Sequence, residues 1–489
     1  MDSTDSTLAL GQMSPTSPNF ESIARILIAA SEANIARIES QMKDLERLRD
    51  RERGIIARLR IAIAPVHKLP AELLAEIFLL ALDSDFTLVR KEHIQKVQAL
   101  SHVCAYWRCV AHTTPRLWTN VLLTKLDEIP KGDHMVCLKG WLERSAPMPI
   151  PVSLEISGKA ADAGRDVIDI IAASAHRWTT VHLNLPSLSV LSRIPTTSLK
   201  LLERVVLAST DAMHHAETRA FLMAERLRRV HLITLRTGQL LMPWSQLTEV
   251  VVKDPSPQDC LDTVIQCTSI VSARFETRAW PDVPDLSQRQ IAALGRLEDL
   301  SVSFRGPSGG CVTPFFVRLA LPALKKLCLD LDLDHTWSSA EFTQFQLRSS
   351  NIQRLEINNS YMSSDDLLAI LQHAPFMVQL HMECCPICFD DSIVGLLQYS
   401  ATQALPLAPK LEVIHLDIAG TNFEEDALDV MIQSRWWTDE QLLAFPFLPR
   451  VARWAWIEIH CGGEGDNTSP QFEVKLEEYR SQGLDVSVR

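Results

Sequence analysis

The sequence predicts a mixed α/β chain in which a helical N-terminal part precedes a solenoid of strand-and-helix repeats. Three observations lead to this prediction. A proline-free stretch within residues 20–64 repeats apolar side chains at heptad spacing. The next stretch, over residues 65–123, has the apolar spacing of three short helices. From residue 151 onward, short Leu-x-Leu or Val-x-Val triplets recur every 20 to 28 residues in most of the region.

Composition narrows the classes of function. The chain has 489 residues, of which 46% are hydrophobic, so it can build a large core. Its net charge of −12 argues against general nucleic-acid binding. The eleven cysteines are scattered along the chain, and the N-terminal residues do not have the pattern of a signal peptide. Together these features predict reduced thiols in the cytoplasm or nucleus. No apolar run approaches about 18 residues, so we expect no membrane partner.

The N-terminal region divides into a tail and a long helix. Residues 1–19 are rich in Ser, Thr and Pro and are predicted to form a disordered tail. Residues 20–64 are predicted to form a long helix or coiled coil. One heptad position is occupied by Ile28, Ile35, Met42, Ile56 and Ile63, and the matching second position by Ile38, Leu45 and Leu59. Arg49 and Glu52 interrupt this seam near Gly54.

Three arrangements of this helix are open from the sequence. A coiled coil would give self-association through residues 20–63. A single helix could instead pack on the domain that follows it. A helical hairpin bent near Gly54 is the third possibility.

Residues 65–123 carry the pattern of a small helical bundle. Pro70 stands in the first turn of a helix, where its missing N–H costs nothing. The apolar face that follows, through Leu73, Ile77 and Leu80, is wider than a lone surface helix needs, which suggests one side for a core and one for a partner. A second helix is predicted through Val97 and Leu100 and a third around Trp107, with Leu117 and Trp118 closing the bundle.

These residues, in this order, resemble an F-box: Leu69-Pro70, Glu72-Leu73, Ile77-Phe78, Val103-Cys104, Trp107-Arg108 and Leu117-Trp118. The resemblance covers roughly a tenth of the chain directly and implies binding to a Skp-family adaptor and, through it, to a cullin. The adaptor-binding residues it implies are Leu69, Pro70, Glu72, Leu73, Ile77 and Phe78. The bundle core it implies is Val103, Cys104, Trp107, Leu117 and Trp118. Between Phe78 and Val103 the chain is about ten residues longer than the common spacing, and Asp83 to His93 are predicted to form a charged loop. An unrelated three-helix bundle is the alternative.

The repeat region is predicted to span residues 151–460, after a linker over 124–150. Its triplets begin at Val181, Val205, Val230, Val250, Ala273, Leu300, Leu327, Leu355, Leu380 and Ile414. This region resembles an irregular leucine-rich-repeat solenoid, or horseshoe, and its period is that of such repeats. The alternative is a Rossmann-like stack of βα units, against which the lack of a glycine-rich phosphate loop weighs.

Helices are predicted between the later strands and at the C-terminal end. Ser363 and Asp390 are predicted to cap two of them, and Glu424 to Asp426 to open a third. Residues 461–489 are predicted to cap the solenoid, with a helix through Phe472 and a short strand over Leu484 to Val488. The whole arrangement looks like the large F-box families of mushroom-forming fungi.

No residue pattern predicts catalysis, a cofactor or a metal site. Cys385 and Cys388 have the spacing of half a zinc site, but a second pair is missing and Cys385 occupies a repeat-turn position. Asp330, Asp332 and Asp334 alternate on one strand face beside His335, which predicts a solvated acidic rim. His214-His215 with Glu217 lacks zincin spacing.

The resemblance therefore predicts a binding protein rather than an enzyme. As the substrate-recognition subunit of a Skp-cullin-F-box (SCF) ubiquitin ligase, it would dock on the adaptor and hold an unknown target protein on its repeats. One alternative is an F-box scaffold that acts outside the ligase and oligomerises through its N-terminal helix. Another, from the enzyme class, is a hydrolase or metal enzyme within the repeat domain, which metal analysis of the purified protein would test.

Overall fold

The computed structural model describes most of the chain. The described residues are 20–82, 91–123, 131–156, 161–209, 218–233, 235, 240–254, 256–280, 291–306, 310–312, 314–331, 337–401, 405–418, 423–445, 447–461 and 468–488. The predicted tail over 1–19, residues 83–90 of the predicted loop, residues 124–130, the Asp332–His335 segment and the His214–Glu217 motif lie outside them.

The N-terminal region is a single helix followed by a small bundle. Helix α1 spans Phe20–Ala62 without a break at Gly54, so the hairpin alternative is wrong. A 3₁₀ turn over Pro65–Lys68 leads into helices α2 (Ala71–Ala81), α3 (Lys91–His102) and α4 (Ala105–His112), and a second 3₁₀ turn over Pro115–Trp118 closes the bundle. Residues 91–93, predicted as loop, belong to α3, because His93 is buried and bonds the Leu117 carbonyl.

Among the described residues, fourteen strands form one sheet in which every neighbouring pair is parallel. They are β1 (Val121–Leu123), β2 (Ile150–Glu155), β3 (Trp178–Leu185), β4 (Arg204–Ser209), β5 (Arg229–Ile233), β6 (Glu249–Lys253), β7 (Ser272–Arg278), β9 (Asp299–Arg305), β11 (Lys326–Asp330), β12 (Arg354–Asn358), β13 (Gln379–Glu383), β14 (Val413–Ile418), β15 (Trp456–Cys461) and β16 (Asp485–Val488). Two two-residue strands, β8 (Ala292–Ala293) and β10 (Leu319–Ala320), pair separately.

The order of the sheet follows the order of the chain. Each strand lies between its predecessor and its successor, as in a solenoid. A doubly wound Rossmann-like sheet would reverse direction at a switch point, so that alternative is wrong. The first residues of the predicted triplets lie in register, since Val181 pairs with Val205, Val205 with Val230, and Leu355 with Leu380.

The chain returns between strands by helices of varied length. They are α5 (Lys131–Arg144), α6 (Ala161–Ala172), α7 (Pro257–Gln266), α8 (Pro314–Val317), α9 (Ser339–Arg348), α10 (Ser364–Gln372), α11 (Asp391–Leu397), α12 (Glu425–Arg435), α13 (Asp439–Ala444) and α14 (Pro470–Ser481). The predicted caps are present: Ser363 and Asp366 form a capping box, and the Asp390 carboxylate accepts from two backbone N–H groups.

Two predicted boundaries are wrong. The predicted bundle end, Val121–Leu123, is the first strand of the sheet, and the predicted linker contains α5, whose Leu138 and Leu142 belong to the main core. At the other end, β16 is a sheet strand, so the solenoid continues to residue 488. Inward-facing strand residues fill one continuous core from Val121 to Val488, because each repeat buries its apolar face only against its neighbours.

Candidate functional site

An exposed apolar strip runs along helix α2. Pro70, Leu73, Ile77 and Leu80 follow each other at helical spacing on its outer face, and the Leu73 side chain is 54% and Leu80 84% exposed. We call these four residues the bundle strip. Four apolar side chains on one exposed face are the kind of surface that a partner protein covers.

The inner face of the same helix packs the bundle core. Leu74, Phe78 and Leu79 are buried together with Val97 and Leu117. Phe78, predicted to bind the adaptor, is fully buried, so that assignment is wrong. Its ring packs on the Trp107 ring at 4.9 Å between centroids. One residue turns a helix by about 100°, so Ile77 and Phe78 face different sides.

The other predicted adaptor-binding residues lie at or near the surface. Glu72 is exposed and Leu69 is half-buried. The Leu69 backbone carbonyl accepts a hydrogen bond from the Tyr106 hydroxyl at 2.9 Å, which fixes the start of the bundle strip.

The predicted core residues divide in a similar way. Leu117 and Trp118 are buried, and Trp107 is half-buried against Phe78. Cys104 caps helix α4, and its sulfur accepts a hydrogen bond from the Trp107 backbone N–H at 3.4 Å. Val103 is 59% exposed, so its assignment to the core is wrong. It lies in the turn between α3 and α4, where the chain reverses and its side chain points outward.

The bundle is attached to the solenoid through tryptophan. Trp118 donates a hydrogen bond from Nε1 to the Ala111 carbonyl at 2.7 Å, and its ring meets the Trp141 ring of α5 edge-on at 4.7 Å. The Arg144 guanidinium lies 4.9 Å from the Trp118 ring centroid. These contacts join the small core to the first repeat.

Alternate side chains of every strand point away from the core, and we call the surface that they form the open face of the sheet. Its charge changes along the sheet. Strands β4 to β7 present five basic side chains against Glu249 and Glu276. The basic set is Arg204, Arg229, Lys253, Arg274 and Arg278. Lys253 and Glu276 form an ion pair at 2.5 Å. This section of the face is therefore electropositive in an acidic protein.

Strands β13 to β16 form the C-terminal end of the sheet. Their open face carries four carboxylates, those of Glu383, Asp417, Glu458 and Asp485, and, on those four strands, no Lys or Arg. Three histidines stand among these carboxylates. The His381 and His415 rings stack at 4.1 Å with an interplanar angle of 4°.

Glu458 organises this histidine cluster. It accepts hydrogen bonds at 2.9 Å from His415 Nδ1 and from His460 Nε2. Burial acts to raise the pKa of Glu458, but the hydrogen bonds and the charges of His460 and His415 together hold the pKa below its ordinary value. Burial lowers the pKa of His381, and the neighbouring His415 lowers it further.

The sequence contained a signal for this histidine cluster, but the search for metal-binding and catalytic motifs did not identify it. His381 and His415 each stand second in a predicted triplet, and the second position of a buried triplet points away from the core. The bundle-strip residue Leu80 was likewise part of the predicted apolar face but absent from the predicted site.

The Cys385–Cys388 pair is buried within a repeat turn. Cys385 Sγ lies 3.5 Å from the carbonyls of Ile357 and Glu383, and Cys388 Sγ lies 3.3 Å from the Cys385 carbonyl. The hydrogen bond with Cys385, together with burial, raises the pKa of the Cys388 thiol. No cluster of three or more metal-ligating side chains occurs among the residues that the structure describes.

Asp330 is the one member of the predicted acidic rim within the described residues. Its carboxylate accepts from Arg305 at 2.5 Å, from Ser303 at 3.0 Å and from Asn359 at 2.9 Å. It therefore ties three neighbouring strands together.

Within the described ranges, no helix is long and apolar enough to cross a membrane.

Comparison with known proteins gives structural neighbours. Neither a scan against family models nor a search of curated proteins finds a match. An internalin (inlF) from Listeria monocytogenes is similar at 11% identity over 56% of this chain and 69% of its own, with a TM-score of 0.31. The TLR13–ssRNA13 complex is similar at 8% identity over 58% of this chain and 52% of its own, with a TM-score of 0.24. The solenoid is defined by its own strand order and register.

Proposed function

We propose that this protein is the substrate-recognition subunit of an SCF ubiquitin ligase. Residues 65–120 would be an F-box that binds a Skp-family adaptor, and the solenoid, of leucine-rich-repeat type, would hold a target protein. The observation that carries the proposal is the bundle strip, which leaves Pro70, Leu73 and Ile77 exposed at positions where the F-box resemblance implies adaptor contact.

The proposed mechanism is proximity. The adaptor grips the bundle strip, the solenoid holds a target, and a ubiquitin-charged enzyme on the cullin reaches the lysines of that target. Such a receptor supplies effective concentration and orientation rather than reacting groups. The Trp118–Trp141 contact supports this role, because a bundle attached directly to the first repeat keeps the target at a defined distance from the adaptor.

The test is adaptor binding by paired variants of the full chain. Leu73→Ala with Ile77→Ala removes two exposed anchors and should weaken adaptor binding by tenfold or more, since interface anchors each contribute roughly 2 kcal/mol. Leu69→Ala with Pro70→Ala should act in the same direction. Val474→Ala, which truncates an apolar side chain on α14 that is 70% exposed, is the control away from the bundle and should bind as the parent does. Circular dichroism should match for all of them.

Two outcomes would count against this proposal. A folded Leu73/Ile77 variant that binds the adaptor as tightly as the parent would show that the bundle strip is not the adaptor-binding site. A parent chain that binds no adaptor would remove the F-box assignment.

The second candidate, a scaffold outside the ligase, is favoured by the exposed seam of α1. Recovery of the adaptor without a cullin from cells would support that candidate.

A further inference from the structure

Helix α1 exposes an apolar seam that no described part of the chain covers. Its two heptad rows are side chains exposed by between 46% and 74%: Ile35, Ile38, Met42, Leu45, Ile56, Leu59 and, one residue beyond the end of the helix, Ile63. A row of this length at heptad spacing is suited to pairing with a second helix of the same period. The helix spans 43 residues, or about 64 Å.

The two charged residues in the seam distinguish between the possible pairings. Arg49 occupies the position of Met42 and Ile56 one heptad away, and Glu52 that of Leu45 and Leu59. In a parallel pair, equivalent positions face each other, so Arg49 would face Arg49 and Glu52 would face Glu52. Both layers would then bring like charges together in a largely desolvated seam, which is unfavourable.

We propose that two copies of this chain pair through α1 as an antiparallel coiled coil whose two-fold axis passes between residues 50 and 51. In an antiparallel coil the two heptad rows face each other. Arg49 of each copy then lies against Glu52 of the second copy, giving two symmetric ion pairs. The same register sets Leu45 against Ile56, Met42 against Leu59, and Ile38 against Ile63 of the second copy.

The flanking positions agree with the same register. Beside the seam, Glu46 comes opposite Arg53 of the second copy, and Glu39 opposite Arg60. On the other side, Leu48 comes opposite Ile55, which widens the apolar contact. A parallel pair would instead place Leu48 beside Arg53 and Ile55 beside Arg60 and would form no flanking ion pair. Charge complementarity therefore selects the antiparallel arrangement.

The contacts that Arg49 and Arg53 make within the single helix do not prevent this pairing. In the single helix, Arg49 contacts Asp50 at 3.1 Å, and Arg53 lies 3.9 Å from the same carboxylate. Both are surface pairs with side chains more than half exposed, and such pairs are weak. A seam contact with Glu52 of a second copy can replace them.

Pairing through α1 does not require the adaptor. An axis between residues 50 and 51 lies about 18 Å from the end of α1 at Ala62. The two bundles therefore lie on opposite sides of the axis, roughly 40 Å apart along the rod. If the solenoid holds a target as proposed above, two solenoids in one particle bind a target with two binding segments twice, which raises its apparent affinity.

A charge-swap cycle in the full chain tests the register. Sedimentation of the parent at micromolar concentration should show twice the chain mass of 54.9 kDa. Arg49→Glu and Glu52→Arg should each weaken the dimer about tenfold or more, because each sets like charges against each other twice. The double variant Arg49→Glu/Glu52→Arg should restore parental dimerisation. Arg47→Glu, on the outer face of α1, is the matched control and should leave it unchanged.

Single cysteines test the orientation independently, because α1 contains none. Met42→Cys and Leu59→Cys chains should form an α1–α1 disulfide when mixed but not when oxidised separately, as read by mass spectrometry of the linked peptides. A monomeric parent, single-charge variants that dimerise like the parent, or a Met42→Cys chain that crosslinks to itself would each overturn the proposal. None of these results depends on the adaptor, so they are separate from a failure of the proposed function.

Discussion

The two ends of this protein use the same kind of side chain differently. In the solenoid, the strand leucines point into a continuous core, and Leu355 in β12 is fully buried. In α1 and α2, apolar residues at equally regular spacing remain on the surface, as Leu80 does at 84% exposure. Only the solenoid provides each apolar face with a neighbouring repeat. Periodicity therefore indicates that a face will be covered, whereas the fold decides whether the same chain covers it.

The largest effect is expected where the two regions meet. Trp118→Ala removes a buried ring that packs on Trp141 and hydrogen-bonds Ala111, and should cost about 3–5 kcal/mol and unfold the bundle. Trp456→Ala, on the open face of β15 and 38% exposed, is the matched control and should cost far less. Guanidinium unfolding followed by tryptophan fluorescence measures both. Equal losses would mean that Trp118 does not hold the regions together.

A direct comparison of leucines comes next. Leu355→Ala should destabilise the solenoid by about 2–5 kcal/mol, because it leaves a cavity between β11, β12 and β13. Leu80→Ala should change stability by no more than about 0.5 kcal/mol. Urea unfolding monitored by circular dichroism gives both values. A large loss at Leu80 would show that the bundle strip has an intramolecular partner.

Acid should weaken the solenoid by a smaller amount. Burial lowers the pKa of His182, His231 and His381 on the open face; the charges of Lys253, His182 and Arg274 lower that of His231 further. A histidine that binds its proton less readily when folded contributes stability that is complete above its unfolded pKa of about 6.5. That stability is lost as the pH falls through and below this value.

The melting temperature should therefore drop between pH 7 and pH 5. His231→Gln with His381→Gln should flatten that dependence, whereas His176→Gln, on an exposed turn, should leave it unchanged. Glu458, whose pKa is held low, should add a further loss below about pH 4.5. A slope that the double histidine variant leaves intact would contradict this assignment.

The smallest expected effect is that of metal removal. Cys385 and Cys388 are enclosed by backbone carbonyls, so we expect no stoichiometric zinc and no change in melting temperature with a chelator. Metal analysis of the purified chain measures this directly. About one zinc per chain, lost on Cys385→Ser with Cys388→Ser, would contradict it.

The sequence alone determined many of the elements and their repetition, although not β1, β2 or α5. The strand triplets, the long helix, the Ser363 and Asp390 caps and the terminal helix and strand all follow from local spacing and capping chemistry. In the structure the predicted triplets align in register, because the inward positions of a parallel solenoid must align to share one core.

Only the tertiary structure decided which side chains face inward and which distant ones meet. Phe78 is buried and Val103 exposed because the positions of three helices, rather than spacing along one of them, define the bundle core. Residues 131–144 joined the solenoid because their apolar face fits the first repeat. His415 and Glu458 are 43 residues apart in sequence and bond only because β14 and β15 are adjacent in the sheet.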